Sequence, residues 1–556
     1  MRRWFINAML VDGTGEKPYL ADVLIDDERI VEIGARAPQA DGADDDPIPV
    51  NSLGSRQPAE RLVGDDATDR VDLKGKVLCP GFIDAHSHND WFCLRKDTAP
   101  FFDPFIAQGI TSVIAGNCGF SATGFAADSS HLDDLGGELF HLSEDERHPR
   151  CKDWLQAIDR QVPINVATLL GHGTARLAAS GLKQGELKPD QEHLMLDTLE
   201  AGLQQGAAGI SLGLMYAPGI FAPREELEKV ARLCAKYDKI LTVHPRAEST
   251  VSMSYSLLGR SHLLRALDEL DQLTRTTGCR FEYSHLIFVG RKSWRDIDEA
   301  LQILEQLERD GFEVGFDMYP FEYGASVITV VLPEWYQKMS LKERRKPWTV
   351  LKLRVLVALT IRLLGFGFDD IRLAYAGEKH PDYQGRTIGE IARTEKRKNL
   401  DVYLQVCEDS DFKARVLMGS YQNDEIVDRL MRHPLSVYMT DAWYEEKGVQ
   451  NAGIYSAFPR FLRLGREKGI PIETTIHKMT GKSAQRFRIP ERGLIKPGYF
   501  ADLLVLDPNR VSDGATDNSQ PLGIEQVYVN GRNVFAEAEG GSRREGMQTG
   551  YGIWVD

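Results

Sequence analysis

Apolar positions along this chain fall into two patterns. Residues 3–34, and a late segment running from GYFADLLVLDP to IEQVYVNGRNVFAEA, alternate apolar and polar residues between turn signals, as half-buried antiparallel strands do. Asn530-Gly531 lies between two apolar runs and predicts a tight hairpin. Between these ends the pattern changes. Eight short apolar runs, VLCPGFIDAH, TSVIAG, INVATLL, GISLGLMY, KILTVH, RFEYSH, FEVGFDMY and LSVYMTD, alternate with helical stretches such as PREELEKVARLCAKYD and SWRDIDEALQILEQLERDG. Eight strands alternating with helices predict an α/β fold, a parallel (β/α)8 barrel of the TIM type. A doubly wound open sheet has the same alternation; the count of eight favours the barrel. The two terminal β pieces are expected to pair into one small β-sandwich-like domain. The expected division is 1–75 for the first part of that domain, 76–480 for the barrel and 481–556 for the second part and tail.

The polar residues that end these runs carry the chemistry. Residues i and i+2 of a strand face the same way. Val77, Leu78, Phe82, Ile83 and Ala85 read as one core strand, so His86 and His88 emerge together at its end. An isolated His-x-His is more often a hydrogen-bonded pair than a metal site. Here the second run leads into AGNCGF with Cys118, the fifth ends at His244, the sixth at His285 and the eighth at Asp441. Function sits at the C-terminal ends of barrel strands. Metal-ligand types delivered there by five strands point to a metal centre rather than to chance. Cys118 alone would read as a small buried thiol, but it stands near glycines at a strand end. His172 in LLGHGT is balanced between a site role and bracing loops.

Composition narrows the function class. The chain has 556 residues and a formal net charge of −15, which argues against a nucleic-acid surface. Seven cysteines spread over this length do not form a disulfide framework and favour a reducing compartment. MRRWFINAMLVDGTG lacks the continuous apolar core of a signal peptide, so a cytoplasmic location is expected. Residues 36–70, with DGADDDPIP at their centre, read as a solvated acidic loop dispensable for the chemistry. Residues 348–368 are apolar, yet Lys352, Arg354 and Arg362 interrupt them. A spanning helix tolerates such charges poorly, so no membrane span is expected. The segment reads as a buried or interface helix inserted in the barrel, a lid being one form, in preference to a membrane contact.

The motifs PGFIDAHSHND, GNCGFS, NVATLLGHGTAR, GISLGLMYAPGIFAPREEL, HPRAES, EYSHL, FDMYPFEYGAS, YMTDA and GYFADLLVLDP resemble the amidohydrolase superfamily, and within it the N-acyl-D-amino-acid deacylases. The resemblance runs to about residue 535. Cousins such as hydantoinases and dihydroorotases carry a carboxylated lysine on the fourth strand, where this chain has GISLGLMY. The resemblance implies a tight zinc held by Cys118, His244 and His285. It implies a second, weaker or empty position at His86, His88 and Asp441, with Cys118 between the two. It also implies linear amide hydrolysis, with Asp441 as general base and then acid. Tyr216, Tyr319 and Arg246 match positions that face a small-molecule amide substrate; the bland alternative for Arg246 is a salt bridge to Glu248. The chain departs from the family at Ile287, where a lysine usually binds the substrate's α-carboxylate; Arg246 and Arg291 are the nearest replacement cations in sequence. Rival readings are another cyclic-amide or dipeptide hydrolase of the superfamily and a non-catalytic barrel scaffold. The sequence allows a homo-oligomer without requiring one.

Overall fold

The computed structural model describes residues 1–35, 48–49, 69–131, 140–182, 185–252, 254–256, 259–337, 339–514, 521–538, 541–543 and 549–555. Most of the acidic stretch expected to be a loop, 36–70, lies outside the described residues.

Strands from both chain ends build one sheet. Its first members are β1 (Arg2–Leu10), β2 (Tyr19–Asp26), β3 (Arg29–Ala35), β4 (Ile48–Pro49), β5 (Asp69–Asp72) and β6 (Val77–Pro80). In β1 the alternation buries Phe5, Ala8 and Leu10, and it slips by one residue at Asn7, whose φ of 58° marks a bulge. The barrel follows, made of β7 (Phe82–Asp84), β8 (Ile110–Ala115), β9 (Asn165–Gly171), β10 (Gly209–Gly213), β11 (Ile240–His244), β12 (Arg280–Tyr283) and β13 (Val314–Met318). A three-stranded sheet, β14 (Gly324–Val327), β15 (Ile371–Tyr375) and β16 (Arg415–Met418), is inserted before the eighth barrel strand, β17 (Ser436–Tyr438). The chain returns to the first sheet with β18 (Leu503–Leu506), β19 (Ile524–Val529), β20 (Arg532–Ala538) and β21 (Gly541–Arg543).

The return is specific. β18 pairs antiparallel with β6, Leu503 opposite Pro80 and Leu506 opposite Val77, while β6 runs parallel to β1. The Asn530-Gly531 hairpin joins β19 to β20 with both turn residues at positive φ, 49° and 77°, the conformation of a type I′ turn. Phe5 of β1 meets Tyr528 of β19 edge-on, with ring centroids 5.1 Å apart. The sheet therefore curls over a core of its own, with Val23, Ile25, Leu503 and Val505, separate from the barrel core.

The run VLCPGFIDAH, read above as one strand, serves two sheets. It breaks at Gly81, where a Cβ would lie 2.2 Å from Thr111 Oγ1. Gly81 N donates to Asp502 O of the terminal sheet, and Phe82 N donates to Gly109 O at the entry to β8. Neighbouring barrel strands from β7 to β13 and on to β17 pair in parallel. The first and eighth strands meet through their ends: Ala85 N donates to Tyr438 O, Asp441 N donates to His86 O, and Thr440 donates to Asp84 from both its N and Oγ1.

Residues 347–364, expected to be a buried or interface helix, form one helix, Pro347–Leu364, that is buried on one side only. Leu353, Val357 and Leu364 are buried, while Trp348, Leu351, Val355, Leu359 and Leu363 face outward. No helix among the described residues is long and apolar enough to cross a membrane.

Candidate metal and active site

Three backbone positions shape the site. Cys118, His285 and Asp441 have φ of 54°, 36° and 48°. Residues with a Cβ adopt this left-handed region at a cost of about 1–3 kcal/mol each, so the surroundings must impose it. Each has a local restraint. Asp441 N donates to His86 O at 3.1 Å. His285 N donates to the Asp317 carboxylate. Tyr216 Oη donates to Cys118 O at 2.6 Å. The loop carrying Cys118 lies flat on the next strands. Gly119 has φ of 77°, and a Cβ there would sit 2.6 Å from Gly213 N; Ser211 of β10 ties the loop through Gly116 O and Gly119 N. That is the physical content of GNCGF.

The six residues singled out from the sequence meet at one end of the barrel. Cys118 Sγ lies 3.3 Å from His86 Nε2, 3.5 Å from His285 Nε2 and 3.7 Å from His244 Nδ1. His244 Nδ1 and His285 Nε2 are 2.8 Å apart. Asp441 Oδ1 is 3.5 Å from both His86 Nε2 and His88 Nε2. Two three-residue groups, His86–Cys118–His285 and His86–His88–Asp441, each have ligand atoms within 4.8 Å of one another. Thiolate sulfur and imidazole nitrogen are the donors zinc prefers, and the second group adds the Asp441 carboxylate. The side chains of His86, His88 and His285 are almost fully enclosed, whereas those of Asp441 and His244 are 22% and 13% exposed. Solvent and substrate thus reach the cluster past Asp441 and His244.

The charges are mutually supporting. Burial pushes the Cys118 thiol up, but the charge of His86 and hydrogen bonds with His244, His285 and His86 hold it well below the ordinary thiol value. Burial raises the Asp441 carboxyl; its hydrogen bond with His88 and the charges of His86 and His285 outweigh this and lower it. Burial lowers His285, yet Glu248 and Cys118 raise it well above an ordinary histidine. Acid and base partners here stabilise an ionised thiolate and an ionised carboxylate, the forms that bind metal.

Two carboxylates were not singled out from the sequence as site residues. Glu248 Oε1 stands 2.7 Å from His285 Nδ1 and 4.0 Å from His244 Nε2, the nitrogens turned away from Cys118. Asp317 Oδ2 is 3.2 Å from His86 Nδ1, and its other oxygen takes the His285 backbone N–H. Both orient imidazoles from behind. In sequence, Asp317 lies two residues before the end of the seventh run and Glu248 four residues after His244, placements that no spacing rule ties to a site.

The expected substrate contacts divide. Tyr319 is buried with a hydroxyl that has no hydrogen-bond partner among the described residues. Burial, and then the charge of Asp441, push its acidity far away from neutrality, so it remains a donor. Tyr216 holds the Cys118 loop and packs against His244, ring centroids 5.0 Å apart. Arg246 pairs with Glu269 rather than Glu248, at 3.0 and 3.1 Å, and also donates to Ile220 O and Ala222 O. Arg291 pairs with Asp370 and donates to Gly365 O. Ile287 is 4% exposed within the barrel core. His172 is a brace: its Nε2 lies 2.7 Å from Glu226, which also takes Arg176. An aromatic wall borders the His88 side. Phe140 stacks on both His88 and Trp91, and Trp443 meets His88 edge-on.

A parallel barrel whose strand ends gather histidines, a thiolate and an aspartate is the scaffold of a metal-binding hydrolase. The chain belongs to the amidohydrolase family, whose model matches residues 69–318 and 385–535. It is similar to a D-aminoacylase of Alcaligenes xylosoxydans xylosoxydans, 30% identical over 484 residues, 85% of this chain and 87% of that one. It is 28% identical to an N-acyl-D-glutamate deacylase of the same organism over 95% of this chain and 92% of that one. A crystal structure of N-acyl-D-glutamate deacylase from Bordetella bronchiseptica, complexed with zinc and a phosphonate inhibitor, superposes with a TM-score of 0.74 at 26% identity, covering 99% of each chain.

Proposed function

We propose that this protein is a zinc-dependent hydrolase that cleaves the linear amide bond of N-acyl-D-amino acids or their close derivatives. The observation that carries this reading is Cys118: a thiolate within 3.3–3.7 Å of His86, His285 and His244, on a barrel whose fourth strand, Gly209–Gly213, holds no lysine. That anion replaces the one the hydantoinase-like rival requires. The convergence of all six ligand-type side chains disfavours a non-catalytic scaffold, and relatives named as deacylases support the substrate class.

Cys118, His244 and His285 would hold the tighter metal, with His86, His88 and Asp441 at the second position. When bound, zinc lowers the pKa of water from near ~16 to about 7 and polarises a carbonyl. Asp441, ionised and open to substrate, accepts a proton from the attacking water and returns it to the leaving nitrogen. Tyr319 offers a desolvated hydroxyl to the developing oxyanion or to a polar group of the substrate. Asp317 and Glu248 keep the imidazoles turned toward Cys118. Phe140 and Trp443 give an apolar wall to the acyl or side-chain portion. Seven free, buried cysteines suit a cytoplasmic setting.

The test is metal analysis of the purified protein with hydrolysis of paired N-acetyl-D- and N-acetyl-L-amino acids and of hydantoins, zinc supplied. Bound zinc with D-selective cleavage of the linear amides is expected. Ring opening of hydantoins without linear amide cleavage would overturn the assignment.

A further inference from the structure

The helix Pro347–Leu364 has a composition unlike the rest of the chain. Pro347 opens its first turn, and Gly365, at φ 74°, ends it. Trp348, Leu351, Val355, Leu359 and Leu363 are 78, 49, 62, 46 and 39% exposed. At 3.6 residues per turn they occupy one arc of about 120°. Lys352 and Arg362, both exposed, fall within that arc. Residues 342–364 carry seven cations, Lys342, Arg344, Arg345, Lys346, Lys352, Arg354 and Arg362, against one carboxylate, Glu343. Glu343 is itself engaged by Ser340 N and Oγ. The whole chain, by contrast, has a net charge of −15. Arg345 pairs with Glu408 and Arg354 with Asp401, Arg344 donates to Tyr336 O, and Lys352 lies over the Trp335 ring. Folding has thus left a stripe of large apolar side chains in water, with Lys352 and Arg362 within it and Lys342 and Lys346 at its N-terminal end.

We propose that this helix is a docking face for an anionic lipid bilayer, lying in the plane of its surface. Two features on one face decide the occupant. Five large apolar side chains suit an acyl boundary and not a polyphosphate. Long cationic side chains flanking them, with a tryptophan at one end, suit anionic headgroups. A second copy of the chain is disfavoured, because facing stripes would bring Lys352 and Arg362 of one copy against the same cations of the other. The face is joined to the catalytic rim: Lys292 N donates to Leu364 O at 3.1 Å and Arg291 Nη1 to Gly365 O at 3.0 Å. Those donors belong to the loop that follows His285 and Ile287. The inference rests on exposure and charge, and stands whatever amide the enzyme cleaves.

The test is co-sedimentation of the full chain with vesicles of phosphatidylcholine alone and of phosphatidylcholine mixed with phosphatidylglycerol. Binding to the mixed vesicles, weakened by high salt, is expected. The triple variant Leu351→Glu, Val355→Glu, Leu359→Glu should lose roughly tenfold or more in bound fraction. So should Lys346→Glu, Lys352→Glu, Arg362→Glu. Both variants should keep wild-type turnover of a soluble amide, showing an intact fold. Wild-type protein that stays in the supernatant, or apolar-to-Glu variants that still bind, would overturn the proposal. So would light scattering that shows a wild-type dimer dissolved by the same substitutions, since the stripe would then be a homotypic interface.

Discussion

Glu248 Oε1 lies 2.7 Å from His285 Nδ1, so the imidazole that faces Cys118 with one nitrogen is fixed from behind by a carboxylate on the other. Such partners set ring orientation and raise ligand basicity, and their loss typically lowers metal affinity about 10–100-fold. Glu248→Gln should therefore bind zinc more weakly by roughly that factor, as measured by competition with a chelator, and recover much of its turnover when zinc is saturating. Unchanged affinity would reduce Glu248 to a packing residue.

Cys118 is the anion we propose for the tighter metal, its Sγ lying within 3.7 Å of His86, His285 and His244 nitrogens. Cys118→Ala removes the sulfur while its left-handed backbone, with Tyr216 bonded to its carbonyl, can persist. The variant should fold but lose most of its metal and activity, read by elemental analysis beside turnover. Full metal content at full rate would refute the assignment.

Much of this was legible in the sequence, for physical reasons that also explain the gaps. Ligands at strand ends show because a strand has a fixed period and a barrel has one functional face. Thus His86, Cys118, His244, His285 and Asp441 could be gathered without coordinates. The break at Gly81 was not visible, because an apolar run looks the same whether it pairs with one sheet or two. Glu248 and Asp317 were overlooked because a carboxylate behind an imidazole obeys no spacing rule; only the fold brings Asp317 to His86. The fate of Arg246 was hidden in the same way: its partner Glu269 lies on the helix His262–Thr277, not on its own loop. The outward face of Pro347–Leu364 runs against the general rule that an apolar stripe is buried; the sequence could be read as a buried or an interface helix, and its pattern did not say which side would stay in water.

Asp441 separates metal binding from proton transfer. Its carboxyl is held below the ordinary range against the effect of burial by His88, His86 and His285, so it is ionised as a base must be at neutral pH. Asp441→Asn keeps the shape and a neutral oxygen donor but removes the proton acceptor. Because Cys118, His244 and His285 remain, the tighter metal should stay in place while turnover falls by roughly a hundredfold or more, the scale of a lost general base. Near-normal turnover would take Asp441 out of proton transfer.

The last prediction concerns the substrate's carboxylate. At Ile287 the chain presents a buried methyl surface where a cation would be expected from the resemblance to deacylases. The two arginines nearest in sequence are both engaged. Arg246 gives its donors to Glu269, Ile220 O and Ala222 O, and Arg291 gives its own to Asp370 and Gly365 O. A carboxylate brought against Ile287 without a partner would lose several kcal/mol of solvation. A carboxamide, ester or apolar group there would lose far less, and the Tyr319 hydroxyl could serve a neutral acceptor as well as an anion. The enzyme should therefore favour N-acyl-D-amino acid carboxamides or esters over the matching free acids. Measured kcat/KM for matched pairs decides it: a ratio of roughly tenfold or more toward the carboxamide is expected from one unpaired charge. A clear preference for the free acid would mean that a cation reaches the site after all. Arg246→Lys and Arg291→Lys, assayed on the free acid, would then show which arginine leaves its present partner to do so.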